Sequence, residues 1–216
     1  MNLRDFQRLV AIGENLHIEF KRRVPEPERI AKEVIALANS AGGKILIGVD
    51  DDGTITGVRD AEEEIFALEQ ALQTLIEPRV QLEIEIIPLQ RRRDAVAVHI
   101  PNSARKPHFL IVPNEPRKAA YVRVGEKSIE ASKEVVRLMR SQRQAQDVQF
   151  EFGEKERRLM AYLDRYERIT VDQFARLADV PRKSAAQTLV LLVKANVLEV
   201  HPQEDADFYT LTPPPR

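Results

Sequence analysis

Residues 29–49 read RIAKEVIALANSAGGKILIGV. Ile30, Val34, Leu37, Ala38 and Ala41 recur at helical spacing, with Arg29, Lys32 and Glu33 off that stripe, so the first part is an amphipathic helix. Gly42-Gly43 ends it, where a left-handed backbone is needed. KILIGV is then a short, apolar, β-branched run, which reads as a buried strand. Asp50-Asp51-Asp52-Gly53 is a turn and TITGV a second strand, giving a hairpin. A helix that empties through two glycines into a buried strand sets the class as α/β (α+β). The expected architecture is a mixed or antiparallel sheet flanked by helices.

Working outward, residues 60–76 look helical, with Ile65, Leu68, Leu72, Leu75 and Ile76 on one side. VQLEIEIIPL (80–89) alternates over Leu82, Ile84 and Ile86 as a half-buried strand, and DAVAVHIP (94–101) is its partner across a turn at Arg91–Arg93. Two loops follow, at 102–107 and after FLIV (109–112), then AAYVRV (119–124) and a charged helix over 129–145. Composition changes near QAQDVQFEF (144–152). Beyond it, helices are expected at 154–166, Val171–Ala178 and Arg182–Asn196, followed by strands VLEVHP and FYTLT. Three helices and a hairpin are the outline of a winged helix-turn-helix. The expected domains are therefore 1–145 and 150–216, with PPPR at the end disordered.

Composition excludes several chemistries. The 216 residues hold no Cys and no Trp, which removes disulfides, thiolate zinc sites, iron–sulfur clusters and a Cys nucleophile. His17, His99, His108 and His201 lack metal-ligand spacing, so zinc is not expected. No apolar run reaches the roughly 18–20 residues of a membrane span, and the first 20 residues lack a secretory pattern; the expectation is a cytoplasmic protein. Gly42-Gly43-Lys44-Ile45 lacks the first Gly and the hydroxyl of a P-loop, which argues against ATP hydrolysis.

The formal net charge of −1 is uneven. Residues 1–87 carry 10 basic and 17 acidic side chains, and residues 88–145 carry 13 basic and 5 acidic. The basic segment puts Arg91, Arg92 and Arg93 in one turn, Arg105, Lys106 and His108 in the next loop, then Arg117, Lys118, Arg123 and Lys127. Such cations can hold a phosphate backbone without reading bases. Whether they fold onto one edge of a sheet or opposite edges is not legible here. In the last domain the third helix opens with Arg182, Lys183 and Ser184, with Gln187 a turn later, residue types that can read guanine and adenine edges. The wing tip carries Glu204, Asp205 and Asp207, which phosphates would repel, so protein docking or dimerisation is the competing role.

The acids concentrate at two places. In ENLHIEFK (14–21) an extended chain puts Ile18 and Phe20 on one side and His17, Glu19 and Lys21 on the other. Asp50, Asp51 and Asp52 follow the buried strand. The residues allow two readings: an ion-paired strand beside a polar turn, or carboxylates gathered for a hard divalent cation.

Glu14-x4-Glu19-Phe20-Lys21, then ANSAGGKILIGVDDDG (38–53), Lys106-Pro107-His108 and Tyr121-Val-Arg-Val-Gly125 together resemble the Schlafen/AlbA-like (AlbA_2) family over roughly residues 10–140. Bacterial domains of this family are described as DNA-binding domains or transcriptional regulators. The resemblance thus implies a nucleic-acid-binding protein, needing no cofactor to bind DNA or RNA. Vertebrate Schlafen relatives cleave tRNA and rRNA with two Glu, one Asp and a divalent metal. By motif these fall on Glu14, Glu19 and Asp51, which implies as alternative a Mg²⁺- or Mn²⁺-dependent endoribonuclease. In that case Lys21 would neutralise developing charge. Two departures stand beside this: there is no Cys for the relatives' zinc site, and one lobe where they have two. A homodimer would supply the second.

Overall fold

The structure is a computed structural model and describes residues 1–90, 92–113, 116–141 and 152–213. They form two compact units, Met1–Glu130 and Ala131–Arg216.

In the first unit the elements run α1 (Leu3–Ile12), β1 (Ile18–Lys21), α2 (Pro27–Asn39), β2 (Gly43–Ile47), α3 (Ala61–Leu75), β3 (Ile76–Glu77), β4 (Glu83–Pro88), β5 (Asp94–Ile100), β6 (Phe109–Ile111), β7 (Lys118–Ala119), β8 (Tyr121–Val124) and β9 (Lys127–Glu130). The main sheet has the order β1-β2-β5-β4. β1 and β2 are parallel, while β2–β5 and β5–β4 are antiparallel, so the sheet is mixed as expected. Alternation sorts its side chains. Ile45, Ile47, Val96, Val98 and Ile100 face a core built with Ile30, Val34, Leu37, Leu68, Leu72 and Leu75 of α2 and α3. Ile18, Phe20, Leu46, Ala95 and Ala97 face the other side, against Phe6 and Val10 of α1. The sheet is therefore flanked by helices on both faces.

α2 begins on Pro27 at its first turn, where the missing N–H is harmless, and ends before the two glycines. The Gly42 N–H closes on the Leu37 carbonyl at 2.9 Å. Gly42 has φ +76°, and a Cβ there would sit 2.6 Å from the Asn102 nitrogen, so both the turn and the close approach of β5 require glycine. Ala41, expected on the buried stripe, lies beyond the helix and is exposed.

Three local expectations change. TITGV is not a strand: it makes single bridges, Val49 to Ile55 and Val58 to Asp94. The cause is Gly48 at φ +92°, whose carbonyl accepts from both the Thr56 and Gly57 N–H groups and so bends the chain out of a ladder. In β4, Ile86 and Ile87 point to opposite faces; Ile87 is buried in the core under α1, while Ile86 is 39% exposed. Residues 127–130 pair with β8 as β9 rather than starting the helix.

The second unit holds α4 (Lys133–Ser141), α5 (Glu154–Tyr166), β10 (Arg168–Thr170), α6 (Val171–Ala178), α7 (Arg182–Lys194), β11 (Leu198–His201) and β12 (Phe208–Leu211). The sequence places the helix before residue 145 with the first domain; in the structure α4 belongs to the second unit and packs on α7. The three strands form an antiparallel sheet, β10-β12-β11. Leu159, Leu163, Phe174, Ala185, Leu189, Leu192 and Tyr209 fill its core. α6 starts with a reciprocal cap between Thr170 and Gln173, and stops at Asp179 in the left-handed region. Most of the expected linker and the terminal Pro-Pro-Arg lie outside the described residues.

Candidate functional site

Of the three acids singled out in the sequence, Glu19 is held by cations inside the fold, Glu14 by a backbone N–H, and Asp51 lies exposed in the turn after β2. Glu14 sits where α1 turns into β1, and its carboxylate accepts the Phe20 N–H at 2.7 Å. Burial raises its pKa above the ordinary 4.5; the Phe20 hydrogen bond and Lys21 lower it, while Glu19 and Asp51 push it further up. Glu19 is 6% exposed. One of its oxygens accepts from Lys21 and the other from Arg123 at 2.5 Å. Arg123 has a side chain fully removed from solvent. It also donates to Glu33 at 3.1 Å and to the carbonyls of Asn15 and Ile18, at 3.1 and 3.4 Å from Nη2. Ser128 donates to the same Glu33 oxygen. The guanidinium thus ties β8, β1 and α2 together.

This bears on a divalent cation. Carboxylate oxygens are the right donors for Mg²⁺ or Mn²⁺. Here both Glu19 oxygens already face cations, and among the described residues no three acids or histidines gather so as to hold a metal ion. The arrangement does not fit the metal.

The basic residues separate. Arg91 lies outside the described residues. Arg92 and Arg93 precede β5 and Arg105 and Lys106 follow it, so the two loops occupy opposite ends of the sheet. Arg123 is buried and cannot be a phosphate contact. His108 is fully buried as well, not a surface loop residue: its Nδ1–H donates to the Pro78 carbonyl at 2.6 Å and Nε2 accepts from Ser103 at 2.6 Å. Lys106 donates to the Asn39 and Ser40 carbonyls at 3.2 and 2.7 Å, closing the end of α2, and burial lowers its pKa. Arg117 pairs with Glu130 and Lys118 with Glu77. Arg105 and Lys127 are exposed.

At the end of the sheet that carries Arg93, side chains missed by the sequence reading join it. Arg22 and Arg23 leave β1, and Arg59 precedes α3; with Arg93 they line a groove of about 870 Å³. Arg93 donates to the Gly57 carbonyl at 2.9 Å, which fixes one edge of its guanidinium. Arg22 makes a loose pair with Asp50 at 3.4 Å. Arg23 and Arg59 are exposed and have no ion-pair partner among the described residues. The one available clue was position: Arg22-Arg23 directly follow the strand motif, at the carboxyl edge of a sheet, where ligands commonly bind.

In the second unit, Lys183 and Gln187 stand exposed one turn apart on α7, while Ser184 is half-buried. Arg182 is drawn aside by Asp172 at 3.0 Å and Glu134 at 3.5 Å.

The Schlafen AlbA_2 family model matches residues 14–132. The chain belongs to the Schlafen AlbA_2 family. Membership points to a nucleic-acid-binding domain and spans both the acid cluster and Arg123. Similar solved structures include the DIP2311 protein of Corynebacterium diphtheriae, at 19% identity and a TM-score of 0.42, covering 62% of this chain and 25% of that one. The chain thus spans a quarter of that protein's length. Another is the N-terminal domain of a RecG-related protein from Nitrosomonas europaea, at 24% identity and a TM-score of 0.42, covering 57% and 88%. No curated protein matches the chain. Among the described residues of this AlbA_2 chain no helix is long and apolar enough to cross a membrane.

Proposed function

We propose that the protein is a DNA-binding transcriptional regulator whose second unit reads duplex DNA through α7. The observation that carries this is the α6–α7 pair: two helices joined by Asp179-Val180-Pro181, packed through Phe174, Ala185 and Leu189, with Lys183 and Gln187 left exposed at the start of the second helix. In helix-turn-helix proteins this segment enters the major groove, and Lys and Gln can read guanine and adenine. The order α5, β10, α6, α7, β11, β12 supports the winged form, and the family supports nucleic acid as the partner. A two-fold homodimer, testable by light scattering, would set two copies of α7 on half-sites one helical turn apart.

The test is fluorescence anisotropy on random-sequence and genomic duplexes at several salt concentrations. Affinity should fall with log K dropping about 0.9 per phosphate neutralised. Lys183→Ala with Gln187→Ala should weaken the preferred site by about 1–3 kcal/mol. No binding at about 50 mM salt, or equal affinity in the double variant, overturns the reading.

A further inference from the structure

We infer that the arginine groove of the first unit binds a nucleoside phosphate. The groove lies beyond the carboxyl ends of the parallel strands β1 and β2, between α1, the 55–60 segment and the β4–β5 turn. Its volume of about 870 Å³ falls within the roughly 300–1,000 Å³ of clefts that enclose small ligands.

Three chemistries meet there. Arg23 and Arg59 are exposed guanidiniums without a counter-ion among the described residues, and their planar N–H forks match phosphate oxygens. Leu3, Ile55 and Leu89, which pack on the α1-side core, give the groove an apolar wall on which a base can lie. Gln7 and Gln90 bring amides that donate and accept.

The acids on the α3 side decide against a strand threading through. Asp60 accepts the Glu63 N–H and Glu64 accepts the Val24 N–H, so both are committed to the fold. Glu63 keeps a carboxylate with no partner among the described residues, facing the same groove. A phosphodiester backbone passing along it would be repelled. A ligand with anionic charge at one end and hydroxyl or amino donors at the other satisfies both the arginines and Glu63. A phosphorylated nucleoside has that polarity, as a free nucleotide or as the phosphorylated end of a strand. This inference is independent of the α7 reading, and its test leaves α7 intact.

The experiment is isothermal titration calorimetry of the full chain with AMP, adenosine and inorganic phosphate. The second arm uses a short oligonucleotide with and without a 5′-phosphate, each competed with AMP. Saturable AMP binding is expected, at least tenfold weaker in Arg23→Ala with Arg59→Ala. Adenosine and phosphate alone should bind more weakly than AMP. A 5′-phosphate-dependent oligonucleotide displaced by AMP assigns the site to strand ends, and binding of AMP alone assigns it to a free nucleotide; both support the inference. Absence of saturable AMP heat overturns it. So does unchanged AMP affinity in the Arg23→Ala, Arg59→Ala double variant with far-UV circular dichroism as wild type.

Discussion

The acid cluster and the arginine groove both adjoin β1, and they are built in opposite ways. In the cluster the buried cations meet acids inside the fold: Arg123 against Glu19 and Glu33, Lys21 against Glu19. In the groove Arg23 and Arg59 are exposed and meet none among the described residues. The same residue type thus does structural work at one place and is left available at the other. The difference lies in desolvation. A buried guanidinium must be paired and hydrogen-bonded, whereas an exposed one keeps its hydration until a ligand arrives.

The largest expected effect comes from breaking the closed network. Arg123→Ala leaves Glu19 and Glu33 without their shared cation in a mostly dry site and should destabilise the first unit by about 3–5 kcal/mol. Arg59→Ala should stay within about 0.5 kcal/mol of wild type. Urea unfolding followed by circular dichroism checks both. Equal losses would erase the distinction between the two regions.

Much of the fold was legible, and the misses share a cause. The α2–Gly-Gly–β2 passage is local: a 3.6-residue period, two glycines and a β-branched run suffice. The end of α6 at Asp179 and the start of α7 after Pro181 were legible for the same reason. β9 and β10 were missed because strands of four and three residues carry almost no periodic signal and exist through pairing. Burial of Ile87 in place of Ile86 depends on α1 packing over that face of the sheet, a contact between distant segments. In the site, the pairing of Glu19 with Lys21 could be read from their spacing. The burial of Arg123 could not, because its partners Glu19 and Glu33 lie about a hundred residues earlier. A charge count sees Arg59 and Arg123 alike.

A smaller effect sharpens the view of the acid cluster. Glu14 holds its proton more tightly when folded than its ordinary value of 4.5. As pH rises from about 4.5 toward neutrality the folded state therefore binds more protons than the unfolded chain, and this group's contribution to stability falls; below that window it is fully present. Glu14→Gln keeps an oxygen for the Phe20 N–H and removes the titration. Its stability relative to wild type should increase with pH across that window, read from urea midpoints. A constant difference would remove Glu14 from the cluster's electrostatics.

The smallest effect belongs to the exposed pairs. Arg117→Ala, which breaks the solvent-facing contact with Glu130, should change stability by no more than about 0–1 kcal/mol, and less at high salt. A larger loss would show that exposure is a poor guide to which cations the fold uses.

The most direct test of the contrast is a ¹H–¹⁵N correlation spectrum of the full chain titrated with AMP. The account predicts shifts at Arg22–Val24, Ile55–Asp60 and Leu89–Gln90, with Ile18, Glu19 and Arg123 unmoved. Shifts centred on Glu14, Glu19 and Asp51, with the 55–60 segment unmoved, would contradict it.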